Sequence, residues 1–224
     1  AASDVYKRQG INAQEKDWAN LQRYAQQNAE LPKPDKNEKR VVFMGNSITE
    51  GWVKTHPDFF KSNGYIGRGI GGQTSYQFLV RFREDVINLS PALVVINAAT
   101  NDIAENTGAY HEDRTFGNIV SMVELAKANH IKVILTTTLP AAAFGWNPAI
   151  KDAPQKIASL NARLKAYAQT NKIPFVDYYS SMVSGSNKAL NPAYTKDGVH
   201  PTSEGYDVME NLIQQAINKT LRSP

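Results

Sequence analysis

The sequence contains no cysteine. That excludes disulfides, thiolate nucleophiles and cysteine-ligated metal or cluster sites, and it leaves the redox compartment open. It also lacks a long apolar run. The longest, Ala92 to Ala99, is interrupted by Asn97 and falls far short of the ~20 residues that cross a bilayer, so no membrane span is expected. A block of like charge is missing too. Lys and Arg total 25 against 21 Asp and Glu, a net charge of +4. The densest stretch, Lys33 to Arg40, interleaves acids among its bases. It reads as a solvated surface, and no nucleic-acid partner is expected. There is no internal repeat and no low-complexity segment.

What remains is a chain of 224 residues, a length that suits one α/β domain. Such a chain buries roughly 70% of the surface its unfolded form exposes, enough for a core without covalent staples. Ala1 to Gln9 shows no charged-then-apolar export pattern, and Asp4 to Gln9 spells what a common sequencing-library adapter encodes when translated. Residues 1–10 are therefore expected to be a non-native leader. Compartment depends on the start so replaced: a lost signal peptide would place the protein in the periplasm or outside the cell, its absence in the cytoplasm. The sequence sets no oligomeric state.

Residues 11–39 read as an amphipathic helix to about residue 30, with Trp18, Leu21, Tyr24 and Ala25 at helical spacing, and then a proline-bearing linker. From residue 40 to 224, short continuous apolar runs alternate with helical patterns. Val41 to Met44, Leu93 to Ile96 and Lys132 to Leu135 are the clearest strands. Pro174 to Asp177 is weaker, and Tyr65 to Ile70 looks like an edge strand. Helices are expected near residues 75–88, 114–129, 154–171 and 202–221. Continuous apolar strands between helices predict a parallel sheet covered on both faces. In such sheets ligands sit beyond the carboxyl ends of the strands.

The unusual clusters fall there. Gly45-Asn46-Ser47 puts a serine at a sharp strand-to-helix turn, where its hydroxyl can be exposed and its N–H can face an oxyanion; the plainer reading is a helix cap. In Asp197-Gly198-Val199-His200-Pro201, an acid three residues before a histidine can take the Nδ1 proton and leave Nε2 as a base; the plainer reading is an Asx-turn. Thr100-Asn101-Asp102 offers an amide donor, or ordinary turn chemistry. Gly67 to Gly72 matches G-x-G-x-x-G, but it does not follow the first strand, and Glu84 and Asp85 fall within a helix pattern, so no dinucleotide is expected. A glycine turn instead lets backbone N–H groups approach a small anion. His56, His111 and His130 lack the arrangement around His200.

In their order, these blocks resemble the SGNH (GDSL-type) hydrolase family, over roughly residues 40 to 220. Ser47, Gly72, Asn101, and Asp197 with His200 match its four blocks. The resemblance implies a three-layer α/β/α sandwich, flavodoxin-like, with about five parallel strands. It implies a catalytic triad of Ser47, Asp197 and His200, an oxyanion hole from the Ser47 and Gly72 N–H groups and the Asn101 side chain, and neither cofactor nor metal. Two positions depart from the commonest pattern: Asn46 stands where aspartate is usual, and Ala99 where glycine is frequent. The added methyl of Ala99 is expected to tighten the crevice near Asn101. The loop Leu139 to Ile150 carries Phe144 and Trp146 as candidate substrate-binding residues, and the small Ala141 to Ala143 run suggests limited acyl room. The expected substrate is a short-chain acyl ester, foremost an O-acetyl group on a carbohydrate. A lysophospholipid or short-chain lipid ester comes second, and an inactive binding module is a remote third.

Overall fold

The computed structural model describes residues 16–223. Five strands, β1 (Val41–Gly45), β2 (Tyr65–Gly69), β3 (Leu93–Ile96), β4 (Lys132–Thr136) and β5 (Phe175–Val176), form one sheet. Its order is β2-β1-β3-β4-β5, and every pairing is parallel. Alternate residues of each strand enter opposite cores. Val42, Met44, Val94, Ile96, Val133 and Leu135 face one side; Val41, Phe43, Leu93, Val95 and Ile134 face the other. Both faces are dry, which is why the strands read as unbroken apolar runs.

One core is closed by α4 (Ser75–Asp85), α6 (Glu112–Ala128) and α7 (Ala153–Thr170). The other is closed by α2 (Ser47–Thr55), α3 (Pro57–Asn63), α8 (Tyr178–Met182) and α9 (Ser203–Arg222). The four-residue α5 (Thr100–Ile103) follows β3. On α9 the residues Tyr206, Met209, Ile213 and Ile217 are buried, one stripe at helical spacing, and burying each such side chain contributes roughly 1.5–3 kcal/mol. The result is a three-layer α/β/α sandwich.

Three segments differ from the sequence reading. The first helix described, α1, runs only Gln22–Glu30, because the Asp17 carboxylate accepts from the N–H groups of Leu21 and Gln22 at 2.9 and 3.0 Å and starts the helix there. Trp18 and Leu21 therefore precede it. Residues 11–15 of the expected helix, and the leader at residues 1–10, lie outside the described residues. Second, α3 begins at Pro57 and ends on Gly64 at φ +66°, and this helix was not anticipated. Third, a small antiparallel ladder, β6 (Val183–Ser184) with β7 (Ala189–Leu190), fills the segment before the last helix.

Ala99 caps α5 with φ +87°. An L-residue in the left-handed region costs roughly 1–2 kcal/mol. Ala99 is only 1% exposed, and its left-handed backbone angle is what a glycine would relieve. Ala99→Gly is expected to stabilise the fold by about 0.5–1 kcal/mol after the added freedom of the unfolded chain is subtracted. Thermal unfolding of the two proteins checks this, with a higher melting temperature expected for the variant.

Candidate active site

β1 and β3 are neighbours in the sheet, yet their connections leave to opposite sides, so the loops after β1, β2 and β3 meet around one crevice. Ser47 is the first residue of α2, immediately after β1. Asn46, not Ser47, caps that helix: its Oδ1 accepts from the Ile48 N–H at 2.9 Å. The Asn46 Nδ2 is buried without a partner among the described residues. Gly69 ends β2 with its α-carbon against the turn that carries Ser47; a Cβ there would sit 2.3 Å from the Glu50 nitrogen and 2.6 Å from the Asn46 oxygen. Of the glycines in the G-x-G-x-x-G match, Gly69 thus serves close packing of two backbones.

The Ser47 Oγ lies 2.9 Å from Nε2 of His200. His200 Nδ1 lies 2.6 Å from Oδ2 of Asp197. Asp197 is tied into its turn from the other oxygen: Oδ1 accepts from the N–H groups of Val199 at 2.9 Å and His200 at 2.8 Å. Thr195 closes the turn, accepting from the Gly198 N–H at 3.0 Å and donating to the His200 carbonyl at 2.8 Å. Desolvation pushes the Asp197 carboxyl up, but the His200 and Val199 N–H groups and the imidazole outweigh it and bring its pKa to about 2. The carboxylate therefore stays ionised through the mildly acidic range and fixes the Nδ1–H tautomer. The expected serine, histidine and aspartate are brought together.

The residues expected to form an oxyanion hole stand on the loops after β1, β2 and β3. Gly72 sits at φ +76°, a left-handed angle that suits glycine. As the first residue of α2, Ser47 has an N–H without a helical acceptor. Among the described residues, neither the Ser47 nor the Gly72 N–H has a backbone acceptor. Asn101 is 3% exposed and donates one Nδ2 proton to the Gln73 carbonyl at 2.9 Å; the other Nδ2 proton remains for a ligand. Gln73 is itself held, its Oε1 accepting from Arg81 Nε at 2.6 Å. Arg81, fully buried, also donates to the Gly45 carbonyl at 2.9 Å and to Asp85 at 3.0 Å. Burial lowers the Arg81 pKa, and the charge and hydrogen bond of the adjacent Asp85 oppose that shift. One buried guanidinium thus joins the end of β1 to the loop that orients Asn101. Asp102, also buried, accepts from Ser75 and from Thr115 Oγ1, and desolvation raises its pKa against those hydrogen bonds.

Sequence reasoning missed these supports. The available signal was a charged pair, Arg81 and Asp85, four apart on the face of α4 that also buries Phe78 and Phe82.

Of the two aromatics in the Leu139–Ile150 loop, Trp146 is exposed and Phe144 is 1% exposed within the core. Phe144 backs Trp146, with ring centroids 5.3 Å apart. The Trp146 ring lies 6.3 Å from the His200 ring, and its Nε1 donates to Asn106 Oδ1 at 2.8 Å. Asn106 Nδ2 donates in turn to the Gly72 carbonyl at 3.0 Å. Ala141 is buried in the same core as Phe144. His111 caps α6, and His130 follows it at φ +58°. No helix of the described residues is long and apolar enough to cross a membrane.

The chain matches the GDSL-like lipase/acylhydrolase family over residues 43–208. It is 99% identical to a crystallised Bacteroides fragilis chain assigned to the acylhydrolases, covering 93% of this chain and 100% of that one with a TM-score of 0.92. A GDSL-like lipase from Bacteroides thetaiotaomicron is 78% identical, with coverage of 90% and 98% and a TM-score of 0.90. The chain spans about half the length of the curated relatives it matches; one is the Bacillus subtilis lipoprotein YqeF, 30% identical over 117 residues that make up 45% of this chain and 48% of that protein. The chain belongs to the GDSL-like lipase/acylhydrolase family.

Proposed function

We propose that the protein is a serine esterase that removes short acyl groups, foremost O-acetyl groups on carbohydrates, through an acyl-enzyme on Ser47. The observation that carries the mechanism is the relay itself: 2.9 Å from Ser47 Oγ to His200 Nε2 and 2.6 Å from His200 Nδ1 to Asp197. Ser47 attacks the ester carbonyl as His200 takes its proton, and Asp197 stabilises the imidazolium. The tetrahedral oxygen is met by the Ser47 and Gly72 N–H groups and the Asn101 amide. His200 then protonates the departing alcohol and activates the water that releases the acid.

For the substrate, the support is Trp146. It is an exposed indole (47%) beside the catalytic imidazole, fixed by Asn106 and backed by Phe144. A rigid aromatic face next to an open crevice suits a sugar ring carrying the ester, since Trp combines a large apolar surface with a polar N–H. A panel of acetylated sugars and p-nitrophenyl esters of increasing chain length tests the reading. Acetylated sugars are expected to give the highest kcat/KM, with rates falling steadily beyond butyrate. Preference for a long-chain or lysophospholipid ester would overturn the carbohydrate reading and leave the relay intact.

A further inference from the structure

On the α9 side of Asp197 and His200, a second histidine is held by the same kinds of partners. His56 lies between α2 and α3, with Nε2 2.7 Å from Oγ of Ser203 and Nδ1 2.6 Å from Oε1 of Glu210. Glu210 is fixed by the buried Trp52, whose Nε1 donates to the same oxygen at 2.9 Å. The Tyr206 ring flanks the imidazole at 6.0 Å. With the Nδ1 proton shared with Glu210, Nε2 is left to accept from the Ser203 hydroxyl. Asp207 stands farther off, 3.9 Å from Nδ1. His56, Asp207 and Glu210 lie close enough to be considered as ligands of a cation. However, two ligands of a tetrahedral ion at ~2.0–2.1 Å bond lengths sit roughly 3.3 Å apart, and the His56–Glu210 separation is that of a shared proton.

Ser203 is exposed at the first turn of α9 and opens on a cavity of about 490 Å³ that Lys196, Asp197 and His200 also line. An electrophile can reach it. The N–H groups at the start of α9 are its candidate oxyanion donors. The exposed Glu204 carboxylate stands in the first turn of the helix, its pKa lowered by its own backbone N–H and the Thr202 hydroxyl, and so competes for the helix start where an anion would otherwise be favoured.

We propose that Ser203, with His56 and Glu210, is a second nucleophile of this chain that takes an acyl group from activated aryl esters independently of Ser47. The Ser203 Oγ bonds to the acyl carbon and the bond from that carbon to the aryl oxygen breaks. The hydroxyl proton passes to His56 Nε2, Glu210 balances the imidazolium, and the aryl group leaves as phenolate. With Glu204 over the helix start, the acyl-serine accumulates as a modification and is not turned over.

The test uses the Ser47→Ala protein, treated with p-nitrophenyl acetate and mapped by peptide mass spectrometry. One acetyl group is expected on Ser203. Adding His56→Gln should slow that acetylation roughly 10²-fold, the lower end of what a positioned base supplies, with the melting temperature little changed. Glu210→Gln keeps a partner for Trp52 and should slow it in the same direction, which covers the case of a His56 variant that does not fold. Glu204→Ala frees the helix N–H groups and should speed it. No acetyl group on Ser203, a rate unaffected by His56→Gln and Glu210→Gln, or a lower rate in Glu204→Ala would each overturn the proposal. None of these results depends on whether Ser47 is the main nucleophile.

Discussion

Ser47→Ala is expected to lower steady-state hydrolysis of p-nitrophenyl acetate by on the order of 10⁶-fold, the size seen when a triad nucleophile is removed. Its melting temperature should stay within about 2 °C of the wild type, no more than the low end of the shift a 1 kcal/mol loss gives a chain of this size. The structure separates these two effects. Asn46 performs the capping of α2, so removing the Ser47 hydroxyl removes no cap. That hydroxyl's side-chain partner is His200, a contact at the mouth of the crevice and not in either core. The only product release expected from the variant is the slow, single acylation at Ser203. A variant that turned over at more than a tenth of the wild-type rate would mean that another group performs the main reaction.

Asn101→Ala is expected to lower kcat roughly 10²–10³-fold with KM little changed, the usual size for one lost oxyanion donor. The argument is differential binding: the amide donates most strongly to the tetrahedral intermediate, whose oxygen carries the charge, and weakly to the neutral carbonyl. The geometry sharpens the expectation. Asn101 already spends one Nδ2 proton on the Gln73 carbonyl, which aims the other, so the donor is preorganised. Asn101→Asp should be worse, because a carboxylate there would meet both the Gln73 carbonyl and the substrate oxyanion. If Asn101 served only its loop, both variants would lower thermal stability and raise KM together. Steady-state kinetics with melting curves on the two variants distinguishes these results, and retention of more than half of wild-type kcat would remove Asn101 from the oxyanion hole.

The strands were legible because each of β1, β3 and β4 is buried on both faces, which leaves a continuous apolar signature. β5 is two residues long, too short to print one. The β6–β7 ladder rests on two residue pairs and carries no alternation a reader could detect. In contrast, α3 had a readable start and stop, Pro57 at its first position and Gly64 after its last, yet its seven residues carry less than two turns of periodicity. The N-terminal helix was drawn too long because Trp18 and Leu21 fall at helical spacing, although Asp17 satisfies the N–H groups that mark the true start.

At the site, Ser47, Gly72, Asn101, Asp197 and His200 each stood on a strand-end or helix-start motif, so local sequence named them. Their supports did not. Arg81, Gln73 and Asn106 act across 28 to 36 residues of chain, and only folding brings them to the loops they hold. Ala99 was expected to crowd the crevice with its methyl. The structure adds a backbone cost that the sequence does not print, its φ of +87°. Phe144 and Trp146 looked equivalent as two aromatics in one loop, and burial separates the backing ring from the exposed one.

The most direct measurement is inactivation of the wild-type protein by an organophosphonate, with the modified residue mapped and counted against lost activity. The account predicts one phosphonyl group on Ser47 per inactivated chain, with labelling and loss of hydrolysis following one time course. Full inactivation with Ser47 unlabelled, or Ser47 fully labelled with hydrolysis intact, would contradict it.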